Sequence, residues 1–415
     1  MKIGIITLGC KVNQYESDCI QAELEKLGHT VVTTLQVCDF YIINTCAVTT
    51  IAERKSREFI AKFQKLNGNA KVIVCGCASE HNQEQFLKYK NVSLVIGTGK
   101  KNKISQILSQ FGNKKEEISK DYESFELFNT NKPNRAYLKI QDGCNNFCTY
   151  CLIPYVRGRS RSRDLAELVC EAKLLSQTAK EIDITGINIS DYKIDGQLAF
   201  DKLMTALSGV DARIRLGSIE VNIIDQNLLE IMSKMPNFCP HFHLSMQSGC
   251  DRILKLMNRH YTKQDFLDKV GLIKKYFPSV ALTTDVIVGF PTETDEDFAE
   301  TVDTIKKIGY FQMHIFPYSK REGTVASKMQ MCDGNVVKQR VKILEEINAQ
   351  NKSAYIQSQS KNILTCLTES IEGDFVVGHT ENYIKIYLPK DAPQNQFVNV
   401  TNLAQYKDGA KAKIV

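Results

Sequence analysis

The sequence predicts an α/β protein with three parts: an N-terminal doubly wound parallel-sheet domain, a central incomplete (β/α)6 barrel and a small C-terminal β-barrel domain. Three observations predict this organisation. Short apolar runs alternate with amphipathic stretches up to residue 99, six further strand candidates follow between helical segments, and only short β-like runs occupy residues 356–415. A length of 415 residues also exceeds what one small core needs, which favours two or three domains.

The N-terminal domain is predicted to span residues 1–111. Its apolar runs IGIITLG, FYIINT and VIVCG predict buried parallel strands. Helices are predicted near Glu16 to Lys26 and over Thr49 to Leu66, where apolar side chains recur at helical spacing. Residues 112–134 are mixed in charge, weak in periodicity and contain a proline near their end, which predicts an interdomain linker.

The central domain is predicted to span residues 135–355, and its strand candidates are AYLKI, EIDITG, RIRLGS, HFHLSMQ, ALTTDVIVGF and MHIFPYS. In (β/α) barrels the reactive groups lie where strands end, so motifs at these positions are weighted most. A helix start is marked by capping-box spacing from Thr294 to Asp297. In residues 356–415 six lysines balance six acidic residues, so charge alone does not indicate that this domain binds RNA.

Composition excludes several protein classes. With 43% hydrophobic and 24% charged residues, the chain lacks the low hydrophobicity of disordered proteins. No apolar run approaches the roughly 20 residues of a membrane span, and the opening turns polar at Lys11, too early for a signal peptide. We therefore expect a cytoplasmic protein. A net charge of +6 permits a nucleic-acid partner, and fourteen cysteines in a reducing compartment indicate metal or redox chemistry.

The strongest chemical signal is the motif Cys144-x-x-x-Cys148-x-x-Cys151, which follows the first strand of the central domain. Three thiolates can ligate three irons of a cubane cluster and leave the fourth iron open to a small molecule. The alternatives are a zinc site or three unrelated buried cysteines. A closed site would use a fourth nearby cysteine, and the next one is Cys170, so the open cluster is favoured.

A second set of cysteines is dispersed in sequence. Cys10, Cys46 and Cys77 each follow a predicted buried strand, and ligands of parallel sheets collect beyond the carboxyl ends of the strands. Cys75 competes with Cys77, but Cys77 lies past Gly76, where the loop begins, and is therefore preferred. The remaining cysteines have no partner spacing and are interpreted as small buried hydrophobes: Cys19, Cys38, Cys170, Cys239, Cys250, Cys332 and Cys366.

Several motifs in order resemble those of the radical SAM methylthiotransferase family, over almost the whole chain. They are TLGCKVNQYES, NTCAVT, CGCASE, the CxxxCxxC motif, RLGSIE, HLSMQSG, DVIVGFPTET and FPYSKREGT. The segment GHTENYIKIYLP resembles the family's small TRAM-like RNA-binding domain, and with TLGCKVNQYES it is most similar to the branch that acts on threonylcarbamoyladenosine in tRNA. The chain departs from the pattern in CGCASE and at Ser190, Gly217 and Val221, none of which is a ligand cysteine.

The resemblance implies a radical SAM barrel, two 4Fe-4S clusters and S-adenosylmethionine (SAM). The open iron on Cys144, Cys148 and Cys151 would bind SAM, whose cleavage gives a 5′-deoxyadenosyl radical. The auxiliary cluster on Cys10, Cys46 and Cys77 would hold a sulfur species methylated by another SAM, and the methylthio group would replace hydrogen on carbon 2 of the base. An external sulfur source, an electron donor such as flavodoxin or ferredoxin, the tRNA anticodon stem-loop and a monomeric state are also implied.

Other candidate residues are weaker. The family places an aromatic residue beside SAM at the position of Tyr150, for which ordinary packing is the alternative. Polar contacts to SAM are expected from strand-end residues Asn188, Glu220, Gln247 and Asp285, with Gly289 allowing close backbone approach, although each could be a satisfied polar residue. Four arginines directly after the cluster motif could meet RNA phosphate or a cofactor carboxylate, with a solvated basic loop as the alternative: Arg157, Arg159, Arg161 and Arg163.

Alternative functions remain open at this point. Within the same family, the substrate could be isopentenyladenosine in tRNA or an aspartate of a ribosomal protein. In a different class, the chain could be a non-catalytic RNA-binding protein stabilised by an iron-sulfur cluster or zinc. About eight irons per chain with a SAM-dependent spectral change would favour the enzyme, and zinc without SAM binding would favour the binding module.

Overall fold

The computed structural model describes residues 1–99, 101–108, 122, 124–125 and 133–415. Most of the predicted linker at 112–134 lies outside these residues. The described chain forms an N-terminal α/β unit, a central α/β unit and a C-terminal β-barrel, so the predicted fold class is confirmed.

The N-terminal unit is a parallel five-stranded sheet with the order β2-β1-β3-β4-β5. Its strands are β1 (Lys2–Thr7), β2 (Thr30–Val32), β3 (Phe40–Thr45), β4 (Lys71–Gly76) and β5 (Val92–Val95). Its helices are α1 (Lys11–Lys26), α2 (Thr50–Leu66), α3 (Cys77–His81), α4 (Glu84–Leu87) and α5 (Ile104–Ile107). Apolar residues of α1 fill one core and those of α2 and α4 fill the other, so helices cover both faces of the sheet. The sheet is doubly wound, as predicted.

The strand order places a topological switch point between β1 and β3. Connections leave these neighbouring strands in opposite directions, which opens a crevice beyond their carboxyl ends where ligands of doubly wound sheets bind. Helix α1 begins at Lys11, earlier than the predicted Glu16, because the chain turns directly from β1 into the helix. Helix α2 begins after Thr49, whose hydroxyl accepts a hydrogen bond from the Ala52 backbone N–H at 3.2 Å.

The central unit is an open arc of parallel strands. In chain order its strands are β6 (Arg135–Asp142), β7 (Arg161–Ser162), β8 (Glu181–Gly186), β9 (Lys193–Ile194), β10 (Gln197–Leu198), β11 (Arg213–Leu216), β12 (Ser218–Ile219), β13 (His241–Leu244), β14 (Ala281–Val288) and β15 (Gln312–Pro317). Its helices are α6 (Ile153–Arg157), α7 (Leu165–Leu175), α8 (Phe200–Leu207), α9 (Gln226–Lys234), α10 (Asp251–Leu256), α11 (Lys263–Tyr276), α12 (Asp295–Ile308) and α13 (Gly334–Ser358).

All six strand candidates are strands, in the order expected of an incomplete barrel. β6, β8 and β11 pair in one sheet, β12 to β15 pair in the next, and the single segment RIRLGSI supplies both β11 and β12. Gly217 lies between the two strands, at a position where a Cβ would lie only 2.7 Å from the Ile184 carbonyl oxygen. Helix α12 starts with the predicted capping box of Thr294 and Asp297.

The C-terminal unit is a closed five-stranded barrel with the order β16-β17-β18-β20-β19. Its strands are β16 (Leu364–Glu372), β17 (Phe375–Thr380), β18 (Lys385–Pro389), β19 (Phe397–Tyr406) and β20 (Gly409–Ile414). Two arginines of β11 attach it to the central unit: Arg213 and Arg215 donate to the Thr365 and Thr380 carbonyls at 2.8 and 3.1 Å. Within the described ranges, no helix has the length and apolarity to cross a membrane.

Candidate cluster sites and the adjoining cavity

Cys10, Cys46 and Cys77 lie at the carboxyl edge of the N-terminal sheet. Cys10 follows β1 and is the N-cap of the 16-residue helix α1, Cys46 follows β3, and Cys77 begins α3 directly after β4. Two of the three cysteines therefore flank the β1/β3 crevice.

Two glycines bring these loops together. Gly9 has φ +103°, and a Cβ there would lie 2.7 Å from the Cys46 Sγ. Gly76 has φ +107°, and its Cβ would lie 2.4 Å from the Thr45 carbonyl oxygen. Both positions require the left-handed backbone that glycine adopts without strain. Any larger residue would push Cys10 or Cys77 away from Cys46.

Cys75 is directed away from this site. Its Sγ lies 3.6 Å from the Ile43 carbonyl oxygen within the core formed with α1, whereas Cys77 belongs to the core on the opposite side. The alternation of side chains along a strand predicts one face for Cys75 and Cys77, but the two differ because Gly76 ends the strand and the chain turns into α3.

Cys46 and Cys77 are buried, whereas Cys10 is exposed, and burial disfavours the thiolate. Burial raises the pKa of Cys46 to about 12, with a smaller contribution from the nearby Cys77. Burial also raises the pKa of Cys77, although Arg157 opposes this shift by donating from Nε to the Cys77 Sγ at 3.2 Å. Iron can supply the positive charge that removes such thiol protons, so the donor set fits a metal cluster.

The second trio lies in the loop between β6 and α6. Burial raises the pKa of Cys144 to about 11 and that of Cys151 to about 12, and Cys148 adds to both shifts. The backbone N–H two residues later donates to the sulfur in each case, from Asn146 to Cys144 at 3.5 Å and from Ile153 to Cys151 at 3.4 Å. Hydrogen bonds of this kind stabilise metal-bound thiolates, so this donor set also fits a cluster.

Cys46 shows the same arrangement as the second trio. The Val48 backbone N–H, two residues later, donates to the Cys46 Sγ at 3.4 Å. Three of the six candidate ligands, from two different folding units, thus share one local geometry.

Three of the predicted SAM-contact residues lie beside the second trio. Tyr150 packs edge-on against Phe290 with ring centroids 6.5 Å apart, and Cys148 contributes to its raised pKa after the larger effect of burial. The Asn188 side chain hydrogen-bonds to Cys144. Glu220 is linked to Cys148 through Arg259.

Glu220 belongs to a chain of polar contacts that ends on a cysteine. It accepts a hydrogen bond from Asn146 Nδ2 at 2.8 Å and pairs with Arg259 Nη1 at 2.9 Å. The same Arg259 nitrogen lies 3.5 Å from the Cys148 Sγ. Sequence reasoning missed Arg259, since an isolated arginine after a helix carries no spacing signal.

The structure gives Gln247 and Gly289 contacts to β14 and to helix α13. Gln247 has φ +62° and joins β14 through backbone hydrogen bonds at 2.9 Å to Asp285 and Ile287. Gly289 also has a positive φ, but a Cβ there would lie 2.3 Å from Val337 Cγ2, so the close neighbour of Gly289 is helix α13. In this structure the glycine serves helix packing.

The four predicted arginines divide into two groups. Arg157 and Arg163 are 1% and 3% exposed, and Arg163 Nη1 pairs with Glu171 at 2.7 Å, so neither reaches a surface where RNA phosphate could bind. Arg161 is half-buried and donates to the Arg157 and Arg159 carbonyls at 2.9 Å. Arg159 lies over the Phe147 ring at 4.4 Å.

A buried charge network joins the N-terminal and central units next to Cys77. Glu16 Oε1 lies 2.8 Å from both Arg157 Nη1 and Lys139 Nζ, and Glu16 Oε2 lies 2.6 Å from Lys101 Nζ. Asp142 pairs with Lys139 at 2.6 Å and with Arg157 at 3.1 Å. Burial alone would raise the pKa of Glu16, but the three cations hold that pKa well below its usual range. Three cations against two carboxylates favour an anion at Cys77.

A cavity of about 300 Å³ adjoins Cys10 and extends into the barrel. It is lined by Cys10, Lys11, Val12, Thr185, Gly186, Leu216, Gly217, Ser218, His241, His243, Thr283, Asp285, Gln312, His314 and Tyr383. The N-terminal, central and C-terminal units all contribute to it. Asp285, predicted to contact SAM, therefore lies in the cavity that Cys10 also lines.

Within the cavity, His243, Asp285 and His314 form a cluster in which one ligand atom of each lies within 4.8 Å of the others. Thr283 Oγ1 lies 3.0 Å from His243 Nδ1, which leaves Nε2 facing Asp285 Oδ2 at 3.4 Å. Burial and the neighbouring His243 lower the pKa of His314. Such a set can hydrogen-bond a polar substrate or bind a divalent cation.

Comparisons with known proteins match both the N-terminal and the central unit. The Radical SAM superfamily model matches residues 138–305, and the model of Uncharacterized protein family UPF0004 matches residues 2–97. The threonylcarbamoyladenosine tRNA methylthiotransferase MtaB of Aquifex aeolicus is 38% identical over 93% of this chain and 96% of its own length. That of Bacillus subtilis is 36% identical over 92% and 89%.

The chain belongs to the radical SAM methylthiotransferase family.

Membership of the methylthiotransferase family implies a 4Fe-4S cluster and SAM as cofactors. The family also contains relatives that are named for a different substrate. The tRNA-2-methylthio-N(6)-dimethylallyladenosine synthase of Alkaliphilus oremlandii is 36% identical over 84% of this chain and 78% of its own length. Sequence identity therefore separates the two substrate classes only weakly.

Solved structures show the same fold at low identity. The radical SAM methyltransferase TsrM of Kitasatospora setae, with cobalamin and a 4Fe-4S cluster bound, superposes with a TM-score of 0.59, 13% identity and coverage of 79% of this chain and 77% of that chain. The radical enzyme OxsB superposes with a TM-score of 0.55, 10% identity and coverage of 84% and 56%.

Besides Arg259, sequence reasoning missed residues of the charge network and the cavity. Asn13 and Glu16 are three residues apart on α1, and both contact Arg157. Their helical spacing after Cys10 was a usable signal, because polar residues on the buried side of an amphipathic helix need partners. His243 and His314 come from separate strands and offered no such signal.

Proposed function

We propose that this methylthiotransferase adds a methylthio group to carbon 2 of N6-threonylcarbamoyladenosine beside the anticodon of tRNA, with SAM as methyl donor and radical source. The six ligands would be Cys10, Cys46 and Cys77 for the auxiliary cluster, and Cys144, Cys148 and Cys151 for the radical SAM cluster. The functional units would span residues 1–111, 135–355 and 356–415, joined by 112–134.

One observation carries the proposal: the two trios of thiols lie on separate units whose helices pack against each other next to both trios. Helix α3 begins at Cys77 and packs against α6, which begins two residues after Cys151. Cys10 lines the cavity that enters the barrel. When bound there, one cluster would supply radical chemistry with SAM and the other a sulfur atom, which is chemistry that protein side chains cannot provide.

The chain's own residues would position these groups and exclude water. Asn188 and Arg259 hydrogen-bond cysteines of the second trio, and Glu220 fixes Arg259 by an ion pair at 2.9 Å. Tyr150 covers the site from the side of Phe290. SAM contacts are proposed from Tyr150, Asn188 and Glu220, which lie beside the trio.

The cavity lining supports the threonylcarbamoyl substrate over the dimethylallyl one. A threonylcarbamoyl group carries a carboxylate, a hydroxyl and amide groups, whereas a dimethylallyl group is apolar. The His243, Asp285 and His314 cluster and the neighbouring Ser218 and Gln312 offer hydrogen bonds that only the polar group can use. An apolar substituent could make none of these additional hydrogen bonds, at a cost in binding energy.

The C-terminal barrel offers a surface for the RNA. The half-buried rings of Phe375 and Tyr406 lie among lysines, with Lys411 Nζ at 5.0 and 4.3 Å from their centroids and Lys407 Nζ at 6.0 and 5.3 Å. Basic side chains interleaved with aromatic rings favour single-stranded nucleic acid through charge and base stacking. We propose that this surface binds the tRNA.

The proposed reaction also needs partners outside the chain. A sulfur source must replace the transferred sulfur, and a reductant such as flavodoxin or ferredoxin must deliver electrons to the radical SAM cluster. The enzyme is proposed to act as a monomer in the cytoplasm, where tRNA is the substrate.

The test combines metal counting with product analysis. The full chain, reconstituted anaerobically, is expected to bind about eight irons, and a Cys10, Cys46 and Cys77 to alanine variant about four. Cys75→Ala is the matched control, since that thiol points into the opposite core, and it should keep both clusters. Nucleoside mass spectrometry after incubation with tRNA, SAM and a reductant should show 2-methylthio-N6-threonylcarbamoyladenosine.

Several outcomes would refute the proposal. A second cluster that survives loss of the first trio would refute the ligand assignment. Product only on tRNA that carries dimethylallyladenosine, which is also called isopentenyladenosine, would refute the substrate. Product only on a ribosomal-protein aspartate would refute it as well. Zinc without SAM binding would indicate a non-catalytic RNA-binding protein.

A further inference from the structure

Arg157 contacts one proposed cluster site and belongs to the helix that follows the other. It is the last residue of α6, the helix that follows Cys151, and its Nε donates to the Cys77 Sγ of the other trio at 3.2 Å. The side chain is 1% exposed, so water does not compete for this contact. One side chain therefore links the loop of one trio to a ligand of the other.

The remaining nitrogens of Arg157 are also fixed. Nη1 lies 2.8 Å from Glu16 Oε1 and 3.1 Å from Asp142, and Nη2 donates to Asn13 Oδ1 at 2.7 Å. These partners come from both units and use the planar fork of the guanidinium. A lysine has one nitrogen and cannot reproduce the set, although it keeps the charge.

We propose that Arg157 is a positioning residue that holds Cys77 through its N–H···S contact and thereby raises the reduction potential of the auxiliary cluster. This inference depends on the proposed function, because it assumes a cluster on Cys10, Cys46 and Cys77. Reduction adds negative charge to the cluster. An N–H···S hydrogen bond from a cation stabilises the reduced state more than the oxidised one.

Arg259 provides an internal comparison within the same protein. Its Nη1 lies 3.5 Å from Cys148 Sγ and 2.9 Å from Glu220, so its contact to sulfur is longer and its charge is shared with a single carboxylate. It lies beside the radical SAM site. Changes at Arg157 should therefore affect the auxiliary cluster and leave the cluster beside Arg259 unchanged.

The test is a redox titration that requires neither RNA nor turnover. The full chain is reconstituted anaerobically and reduced stepwise with dithionite and mediators while electron paramagnetic resonance follows the reduced clusters. A variant with alanine at Cys144, Cys148 and Cys151 isolates the auxiliary signal. Arg157→Lys and Arg157→Gln are compared in this background and in the full set of cysteines.

The expected result is a more negative auxiliary potential in both variants. At the wild-type midpoint, the ratio of reduced to oxidised auxiliary cluster should fall about tenfold, which corresponds to about 59 mV for a one-electron couple. Arg163→Lys is the matched control, because Arg163 is equally buried and pairs with Glu171 at 2.7 Å. It should leave both potentials unchanged.

Each other outcome is decisive. An unchanged auxiliary potential in both Arg157 variants would overturn the inference, as would loss of both clusters from them, which would indicate only a general structural role. Selective loss of the auxiliary cluster, with the other retained, would support the stabilising contact. A wild-type chain without a cluster on Cys10, Cys46 and Cys77 would instead refute the proposed function.

Discussion

Replacing Glu16 with glutamine should destabilise the protein more than any surface substitution. Glu16 is 2% exposed and lies within 2.8 Å of one nitrogen each of Lys101, Lys139 and Arg157. Glutamine keeps the size of the side chain but removes its charge. Only Asp142 then remains to compensate three buried cations.

The expected loss of unfolding free energy follows from this imbalance of buried charge. Removing one partner of a buried ion pair costs about 3–5 kcal/mol in unfolding free energy, because the remaining charge stays buried and uncompensated. Lys139 and Arg157 retain Asp142, whereas among the described residues Lys101 keeps the Asn44 Oδ1 contact at 3.0 Å and no carboxylate. Most of the loss should therefore come from Lys101.

A double-mutant cycle tests this reasoning by urea unfolding of the metal-free protein. Glu16→Gln combined with Lys101→Met should lose less stability than the sum of the single variants, because the uncompensated cation has been removed. The matched control is Glu230→Gln, whose exposed pair with Lys234 should contribute nothing measurable. Additive losses, or a Glu16→Gln variant as stable as wild type, would refute the reasoning.

The same carboxylate makes the stability depend on pH. The folded pKa of Glu16 lies well below its usual range, so its contribution is present above the unfolded value of about 4.3 and is lost as the pH falls toward the folded value. Below about pH 4.3 the wild type should therefore lose stability more steeply than Glu16→Gln. Parallel curves would contradict the assigned pKa direction.

The remaining predictions concern three separate contacts. Gly9→Ala should lower the iron content from about eight to about four per chain, because its Cβ would collide with Cys46, and metal analysis measures this. Gly289→Ala should lower the melting temperature without changing SAM affinity measured by calorimetry, since the collision is with Val337, and Val337→Ala should restore only part of the stability because an alanine at φ +69° stays strained. Lys411→Glu should weaken tRNA binding and reduce its salt dependence by about one counterion.

Controls separate these predictions from general unfolding. Gly28→Ala has open space around its Cβ and tests a positive-φ glycine away from any cysteine, so its iron content should stay at the wild-type level. A Gly289→Ala variant with weakened SAM binding that Val337→Ala does not restore would return Gly289 to the cofactor site. Unchanged tRNA affinity in Lys411→Glu would exclude the proposed RNA surface.

The sequence by itself determined the three-part α/β fold and predicted both cysteine trios. Strand and helix patterns are local, so the runs before Cys10, Cys46 and Cys77 were readable without any tertiary information. The CxxxCxxC motif is also local, which is why its three ligands could be named together. The preference for Cys77 over Cys75 followed from the position of Gly76, although the reason for it emerged only from the backbone turn.

The tertiary structure decided which polar side chains share a partner. Arg157 and Arg163 were indistinguishable from surface arginines in the sequence, yet both are buried in ion pairs. Arg259 near Cys148, and His243 near His314, meet across different segments of the barrel. Contacts between distant segments depend on how strands and helices pack. The local hydrophobic periodicity of the sequence does not determine that packing.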